Sequence, residues 1–381
     1  MVRKLRYGMV GGGPDALIGD GHRRSINLDG KAEIVAGCFS RSIEKSRVMS
    51  EQLNIATNRC YADAFEMAKA EAIREDGIDF VVIVTPNNSH YSICKAFLES
   101  GIHVVCDKPV TISSEQAREL KALAAKKKLL FMVTYTYMGH VTAKHAKEII
   151  KAGEIGEIRT VMAEYPQGWL AFEGDFGGKQ GSWRCDPDQA GKANCLGDIG
   201  THVENAVATM TGLKINKVLA KMDVVVPGRV LDDNDVVLVE YEGGATGVYW
   251  TSQIAIGSDN SLRVRIYGSK GTILWFQETS EKITVIKEDG TINELHRGYS
   301  SIAPKAAKYG RLPSGHPEGW FEAMSNLYAS FIECIHAKND KTFTEELIDY
   351  PTIEDGLAGL AFVEACLESN KNGNTWVEVK R

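Results

Sequence analysis

Residues 5–22 read LRYGMVGGGPDALIGDGH, and this stretch decides the fold that we predict for the N-terminal domain. It opens with an apolar run of the length and composition of a buried strand, which leads directly into three glycines. A helical segment follows, so the glycines lie in the strand–turn–helix context in which such a loop is informative. Glycine allows a tight turn and a close approach to a pyrophosphate, and the helix start offers unpaired N–H groups. The stretch therefore predicts a dinucleotide-binding loop.

The spacing of these glycines departs from the usual G-x-G-x-x-G pattern. Gly11 and Gly13 fit its first two positions, whereas Gly19 comes late, as though a few residues were inserted. A plain glycine turn is the alternative interpretation, but the strand and helix on either side favour cofactor binding. We predict that the two early glycines and the helix start contact the cofactor, the latter through Ala16, Leu17 and Ile18.

The end of the second predicted strand bears on the choice of cofactor. An acidic residue there would bind the ribose 2′-hydroxyl of NAD, and an arginine would suit the 2′-phosphate of NADP. The chain has no acid at this place and continues with Ser40 and Arg41. These two could hold a 2′-phosphate, or they could be a helix cap and a solvated charge beside an NAD site. The sequence predicts NAD(H) or NADP(H) and leaves the preference open.

The pattern of apolar and polar residues differs between the two parts of the chain. Up to about residue 135, short apolar runs alternate with amphipathic helical stretches, and the run at 80–84 is continuously apolar, as a strand covered on both faces requires. This alternation predicts an α/β fold, a doubly wound parallel sheet of the Rossmann type over residues 1–135. Residues 216–290 are strand-rich without intervening helices, and Gly243-Gly244 and Asp289-Gly290 are hairpin signals.

The second domain is therefore predicted to be α+β, with a large, mostly antiparallel open sheet, over residues 136–381. Its two C-terminal helices, near 317–337 and 353–369, are candidates to pack back on the first domain. The first of them places Phe321, Met324, Leu327, Phe331 and Ile335 at helical spacing, which indicates core packing. We expect an exposed sheet face carrying Tyr249, Trp250 and Val264.

Composition excludes several classes of partner. The 381 residues include 44 Lys and Arg against 50 Asp and Glu, a formal net charge of −6, whereas a nucleic-acid surface needs clustered basic residues. No apolar run approaches the roughly 20 residues of a membrane span, and the short N-terminal run leads into the glycine loop, unlike a secretory signal. We expect a cytoplasmic protein with neither a nucleic-acid nor a membrane partner. The eight cysteines lack C-x-x-C spacing and are expected to be buried free thiols.

Three further segments carry chemistry. Thr85-Pro86-Asn87, with His90 nearby, follows one apolar run, and Asp107-Lys108-Pro109 follows the next. The carboxyl ends of parallel strands face the ligand crevice, so topology alone takes Lys108 to the cofactor. The third segment is Gly197-Asp198-Ile199-Gly200-Thr201-His202, in which Asp198 and His202 are four residues apart and share one face of the predicted helix.

This combination resembles the Gfo/Idh/MocA oxidoreductases, which include sugar and inositol dehydrogenases, over essentially the whole chain. The family's usual Glu-Lys-Pro is replaced here by Asp-Lys-Pro. The resemblance implies an NAD(P)-dependent dehydrogenase or reductase acting on CH–OH groups of a carbohydrate or polyol, and a homodimer or homotetramer. It also implies that the cofactor contacts Thr85, Pro86, Asn87, His90, Asp107, Lys108, Trp183 and Arg184.

The chemistry agrees with that resemblance. Oxidation of a secondary alcohol needs a base for the hydroxyl proton, and a neutral histidine suits this role near physiological pH. We assign it to His202, with Lys108 stabilising the developing alkoxide and Asp198 orienting the hydroxyl or the imidazole. Alone, a core histidine and a helix N-cap would be the ordinary interpretations of His202 and Asp198. The joint pattern favours catalysis.

Substrate contacts and alternatives complete the sequence-based predictions. Aromatic and hydroxyl-bonding groups suit a neutral polyol, so the predicted substrate residues are Lys108, Tyr137, His140, Trp169, Arg184, Asp198, His202 and His316. No metal is predicted. One alternative is an inositol dehydrogenase instead of an enzyme for sugars or glycosides. The other is a non-catalytic, cofactor-sensing regulator, which would need the glycine loop but not Lys108, Asp198 and His202.

Overall fold

The computed structural model describes residues 3–14, 16–172 and 184–380. Its strands are β1 (Leu5–Gly11), β2 (Ala32–Cys38), β3 (Phe80–Val84), β4 (His103–Cys106), β5 (Phe131–Val133), β6 (Ile158–Pro166), β7 (Ile215–Asp223), β8 (Asn234–Tyr241), β9 (Thr246–Ser252), β10 (Arg263–Gly268), β11 (Gly271–Phe276), β12 (Lys282–Lys287), β13 (Ile292–His296) and β14 (Val377–Glu378). Its helices are α1 (Leu17–Asn27), α2 (Ile43–Gln52), α3 (Ala64–Ala72), α4 (Asn87–Glu99), α5 (Ser114–Lys127), α6 (Val141–Lys151), α7 (Pro187–Ala190), α8 (Thr201–Thr211), α9 (Pro304–Ala307), α10 (Trp320–Asn339) and α11 (Ile353–Lys371).

The chain forms two compact units. The first unit comprises residues 1–136 and 320–356, and the second comprises residues 137–319 and 357–381. The division within the C-terminal segment falls after Gly356, inside α11. Helix α10 thus belongs to the first unit, although it follows strand β13 of the second unit in sequence.

The first unit is built on a five-stranded sheet in the order β2-β1-β3-β4-β5. All of its strand pairs are parallel, as the alternation of apolar runs and helices predicted. The chain adds β2 on one side of β1 and then crosses to the other side to form β3. In such sheets ligands bind outside the carboxyl ends of the strands at this switch point. The glycine loop after β1 and the Thr85 segment after β3 are therefore next to the expected cofactor crevice.

Helix α10 supplies much of the first unit's core. Met324, Leu327, Phe331 and Ile335 are buried, and the helix packs against α1. The ring of Phe331 meets that of Phe80 edge to face, with centroids 5.6 Å apart. The predicted core stripe is confirmed for these four residues and wrong for Phe321, which is 42% exposed.

The second unit contains a nine-stranded sheet in the order β13-β12-β11-β10-β6-β9-β8-β7-β14. Its pairs are antiparallel except for β6 with β9. Both predicted hairpins are present, as β8–β9 and β12–β13. Helix α6 packs on β11 and β12, and α8 packs on β6 and β10, so the helices cover one face. The predicted mostly antiparallel sheet is confirmed.

The side chains on the other face differ from our expectation. Strand β8 buries Val237 and Val239 and exposes Val236 and Leu238, the alternation of a sheet that is covered on one side. Tyr249 and Val264 are buried on the covered side, so their predicted exposure is wrong. In the part of the chain that the structure describes, no helix combines the length and apolar character of a membrane span.

Candidate active site

The glycine loop begins where β1 ends. Gly11 and Gly12 have φ angles of +85° and +70°, which L-residues with a Cβ rarely adopt. A Cβ on Gly11 would lie 2.7 Å from the carbonyl oxygen of Val84, and one on Gly13 would lie 2.8 Å from that of Phe39. The loop is thus held against the ends of two neighbouring strands, and any side chain would close the space beside its backbone.

Gly19 is the glycine that the sequence pattern placed too late. Helix α1 begins at Leu17, so Gly19 lies in its first turn, where a Cβ would be 2.3 Å from the Cα of Gly12. It therefore allows the helix to pack directly on the loop, which is the task of the third glycine in dinucleotide-binding loops. The extra residues lengthen the turn before the helix and leave this contact intact.

The start of α1 fits a pyrophosphate. Ala16 precedes the helix without a capping side chain, and the first intrahelical bond runs from the N–H of Asp20 to the carbonyl of Ala16. The N–H groups of Leu17 and Ile18 point out of the first turn, where anions bind favourably. Below the loop, the buried Arg23 donates from Nη1 to the carbonyl of Gly12 at 2.8 Å. This second source of positive potential was not predicted from the sequence.

The ends of β3 and β4 are joined by His90. This buried ring lies with Nε2 2.7 Å from the carbonyl oxygen of Thr85 and Nδ1 2.9 Å from that of Pro109. Pro86 and Asn87 begin α4 immediately beside it. His90 therefore supports the backbone at both strand ends, and its predicted contact with the cofactor stays a prediction.

Asp107 has a similar supporting position at the end of β4. Its Oδ1 accepts the N–H of Lys108 at 2.9 Å and the hydroxyl of Thr134 at 2.8 Å. These bonds tie the turn to the segment after β5 and fix the backbone from which the half-buried Lys108 side chain extends. Asp107, which stands where the family usually has Glu, thus holds this turn in place.

The segment after β2 contains Ser40 and Arg41, which we considered as a site for a 2′-phosphate or as a helix cap and a solvated charge. Ser42 caps α2 by accepting the N–H of Lys45, and its own N–H donates to Oγ of Ser40 at 3.2 Å. The helix cap is thus Ser42. Arg41 is exposed at the end of β2, where a ribose 2′-substituent would lie.

In the second unit, Asp198 and His202 lie on consecutive helical turns. A π-helical turn spans Leu196–Gly200 and continues into α8. Asp198 therefore lies inside the helix and is not its N-cap, which removes the ordinary structural interpretation of this residue. Its Oδ2 accepts Nε2 of Gln253 at 3.0 Å and lies 3.2 Å from Nε of Arg184. The structure thus brings together the predicted site residues Asp198 and Arg184, and it adds Gln253 as a further neighbour of Asp198.

His202 is 7% exposed and stands beside two tyrosines. The ring centroid of Tyr137 is 4.9 Å from that of the imidazole, and the ring centroid of Tyr165 is 6.0 Å from it. The two phenol oxygens are 2.7 Å apart, and Nδ2 of Asn260 donates to Tyr137 at 2.9 Å. Burial raises the pKa of both phenols, so they stay neutral hydroxyl groups at physiological pH.

This polar group extends to Trp169. Its indole Nε1 donates to Oε1 of Gln167 at 2.8 Å, and Gln167 in turn donates from Nε2 to Oδ1 of Asn260 at 2.9 Å. Tyr165, Gln167 and Asn260 were missed by sequence analysis because they come from β6, the loop after it and the loop before β10. No local motif connects these segments.

The remaining predicted residues lie elsewhere. His140 is buried, and its ring lies 6.1 Å from that of Trp275. The side chain of His316 is exposed in a loop, and its carbonyl oxygen accepts Nη2 of Arg297. Trp183 lies outside the described residues. Direct substrate contacts by His140 and His316 stay predictions.

Comparison with known proteins identifies the class and then the family. A model described as an oxidoreductase family with an NAD-binding Rossmann fold matches residues 5–135, and one described as a GFO/IDH/MocA C-terminal domain matches residues 143–274. The chain is an NAD-binding dehydrogenase acting on CH–OH groups, as predicted. It belongs to the Gfo/Idh/MocA oxidoreductase family.

Individual relatives cover nearly the whole chain. The uncharacterized oxidoreductase YfiI of Bacillus subtilis (strain 168) is 37% identical over 99% of this chain and 98% of its own length. The crystal structure of an inositol dehydrogenase homolog from Azotobacter vinelandii with NAD+ is similar with a TM-score of 0.95 and 35% identity, over 99% of this chain and 98% of that one. The same homolog with NADH and myo-inositol gives 0.92 and 34%, again over 99% and 98%.

A levoglucosan dehydrogenase is more distant. The enzyme of Pseudarthrobacter phenanthrenivorans (strain DSM 18606 / JCM 16027 / LMG 23796 / Sphe3) is 27% identical over 56% of this chain and 59% of its own length.

Proposed function

We propose that this enzyme transfers hydride between its nicotinamide cofactor and a secondary ring hydroxyl of a neutral carbohydrate or cyclic polyol. The observation that carries the proposal is the placement of Asp198 and His202 on consecutive turns, with Tyr137 beside the imidazole. Neutral phenol and amide groups with aromatic faces suit the alternating hydroxyl and C–H edges of such a ring. The buried imidazole of His202 supplies the base, and the half-buried carboxylate of Asp198 orients the groups beside it.

The oxidation removes a proton from the oxygen and a hydride from the carbon of the same CH–OH group. When bound, NAD+ or NADP+ accepts the hydride from the carbinol carbon. His202 takes the hydroxyl proton as that bond breaks, and the products are a ketone and a protonated imidazole. Asp198 accepts a hydrogen bond from the reacting hydroxyl or from the imidazole and so orients it. Lys108 stabilises the negative charge that develops on the oxygen.

The first unit supplies the groups that hold the cofactor. The backbone at Gly11 and Gly13 and the first-turn N–H groups of α1 suit the pyrophosphate, and the segment Thr85–Pro86–Asn87 lies across the switch point from them. Ser40 and Arg41 are next to the expected position of the ribose 2′-substituent. Arg184, beside Asp198, serves the substrate or the nicotinamide.

The relatives favour a cyclitol over a glycoside. The homolog that was solved with NADH and myo-inositol is 34% identical to this chain with a TM-score of 0.92, whereas the levoglucosan dehydrogenase that was solved with NADH and levoglucosan is 23% identical with a TM-score of 0.83, each over 99% of this chain. An inositol dehydrogenase is therefore the first activity to test. A homodimer or homotetramer and cytoplasmic residence stay predictions from the sequence.

A substrate panel tests the proposal. Reduction of NAD+ and of NADP+ is followed with free inositols, aldoses and glucosides at equal concentrations. We expect the largest kcat/KM with an inositol, and faster turnover of a glucoside would reassign the ring while keeping the mechanism. Cofactor binding, seen as a raised Tm, without turnover of any ring hydroxyl would favour the cofactor-sensing regulator.

A further inference from the structure

We propose that Gln253, held by Asn194 and Asp232, is a positioning residue that fixes the carboxylate of Asp198 for the reaction. The inference rests on the catalytic role proposed above for Asp198. Gln253 lies directly after β9, and nothing in its sequence surroundings marks it as functional.

The amide of Gln253 has only one orientation that satisfies its partners. Its Oε1 accepts Nδ2 of Asn194 at 2.8 Å, and Nδ2 also donates to the carbonyl of Asp232 at 3.2 Å. The carbonyl of Asp232 can only accept a hydrogen bond, so flipping the Asn194 amide would place its oxygen against that carbonyl oxygen. Gln253 must therefore present its Nε2–H to Asp198, at 3.0 Å.

The backbone that carries Asp198 is fixed by the same group of residues. The carboxylate of Asp232 accepts the N–H of Asn194 on Oδ1 and that of Leu196 on Oδ2, each at 2.7 Å. The N–H of Asp198 donates to the carbonyl of Asn194 at 2.8 Å. Asp232 thus acts as a buried cap at the start of the π-helical turn.

A second carboxyl group lies near this cap. Asp235 is buried beside Asp232, and burial together with that charge raises the pKa of Asp235 well above its usual range. Cys195, Asp232 and Asp235 bring potential metal-ligating atoms within 4.8 Å of one another. Both oxygens of Asp232 accept backbone N–H groups, so the part that this carboxylate takes in the inference is to hold the turn that carries Asp198.

Gln253 is suited to its task because it is a neutral donor. Its backbone is fixed by a bond from its N–H to the carbonyl of Asp233 at 2.9 Å, and its side chain is fully buried. It therefore restricts rotation of the Asp198 carboxylate without adding a charge. A catalytic group that is held in this way needs no reorganisation during the reaction.

Two variants test the inference. Gln253→Leu removes the donor at similar volume, and we expect kcat to fall about 10- to 100-fold at every pH, with KM for the cofactor unchanged. Gln253→Glu places a second carboxyl beside Asp198, and such a pair shares one proton at low pH and repels when both groups are ionised. We expect this variant to approach wild-type kcat at low pH and to lose activity relative to wild type as the pH rises.

Ser369→Ala is the matched control. Ser369 is fully buried in the second unit and joins the N–H of Ala220 to the carbonyl of Thr375. The control should lower Tm as much as Gln253→Leu and keep its kcat. The inference is overturned if Gln253→Leu turns over like wild type, or if Gln253→Glu shows no pH-dependent recovery. In either case Asp198→Asn should still lose most of its kcat if the role proposed for Asp198 holds, and an Asp198→Asn variant with wild-type kcat would refute that role while leaving hydride transfer to a ring hydroxyl untouched.

Discussion

The cofactor end of the first unit and the Asp198 turn of the second unit differ in the kind of group from which they are built. At the cofactor end, the groups that we propose to face the ligand are mainly backbone atoms: the glycine loop, the first-turn N–H groups of α1 and the strand ends. At the Asp198 turn they are side chains, each held by another side chain from a distant segment, such as Gln253 or Tyr137.

Because of this difference, the two sites are sensitive to different kinds of substitution. Backbone-built sites tolerate changes in side-chain polarity but not an added atom, because close approach is what the glycines provide. Side-chain-built sites tolerate small changes in volume but not the loss of a donor or acceptor, because a buried partner is then left without its bond. Substitutions in both regions test this contrast. The first tests whether Lys108 of the first unit acts together with His202 of the second.

The largest effect is expected for His202. His202→Asn keeps a polar side chain but removes the base, and kcat should fall by about 10²- to 10⁴-fold. Lys108→Ala should lower kcat by about 10²- to 10³-fold. Because both are proposed to act on the same oxygen, we expect the double variant to lose less than the product of the single losses, measured by steady-state kinetics.

The control for this cycle is His145→Asn. His145 is also buried in the second unit, where its Nδ1 accepts the N–H of Ala303 at 3.2 Å. It should keep its kcat. Strictly multiplicative losses in the Lys108 and His202 variants would mean that the two residues act independently and do not share the same oxygen.

The glycine loop should fail through an added atom. In Gly19→Ala the new Cβ would be 2.3 Å from the Cα of Gly12, so loop and helix must move apart. Overpacking of about 1–3 kcal/mol corresponds to roughly 5- to 150-fold weaker NAD+ binding. Gly101→Ala is the control, since no atom lies within 4 Å of its Cβ, although its φ of +80° costs stability. Titration calorimetry should show weaker binding only in Gly19→Ala.

The same contrast explains what the sequence could predict. Gly11, Gly13, Lys108 and the parallel sheet follow from contiguous motifs whose spacing reflects backbone geometry. The late position of Gly19 looked like a defect because the pattern counts residues, whereas the packing of α1 on the loop depends on where the helix starts. Tyr249 and Val264 were assigned to the wrong face because a strand's pattern gives alternation but not which side the helices cover.

The polar group around His202 was predictable only in part. Asp198, His202, Tyr137 and Trp169 were found because they lie in recognisable segments or carry a distinctive side chain. Tyr165, Gln167, Gln253 and Asn260 were not, because they lie in separate segments that only the pairing of the nine-stranded sheet brings near their partners. Polar residues at strand ends are common, and only the fold shows which of them share hydrogen bonds.

Both units should respond alike to acid. Burial lowers the pKa of His103 in the first unit and of His140 in the second to about 4. The unfolded chain then binds protons more readily than the folded one, so the stabilisation present above about pH 6.5 is lost as the pH falls toward 4. Each residue should contribute a loss of about 2 kcal/mol in the free energy of unfolding between pH 7 and pH 5.

Urea titrations at the two pH values check this expectation. His140→Leu should reduce the pH dependence by that amount. An equal pH dependence in wild type and His140→Leu would show that His140 binds protons alike in the folded and unfolded states.

The smallest effect concerns a side chain at the backbone-built site. Arg41 is exposed at the end of β2, and an exposed arginine bonded to a phosphate contributes about 1 kcal/mol. Arg41→Ala should therefore weaken NADP+ binding roughly fivefold and leave NAD+ binding unchanged. Arg47→Ala, an exposed arginine within α2, is the control for loss of charge. Equal effects of both variants on NADP+ would mean that general charge, and not a contact with the 2′-phosphate, attracts the cofactor, and recognition would then rest on the backbone alone.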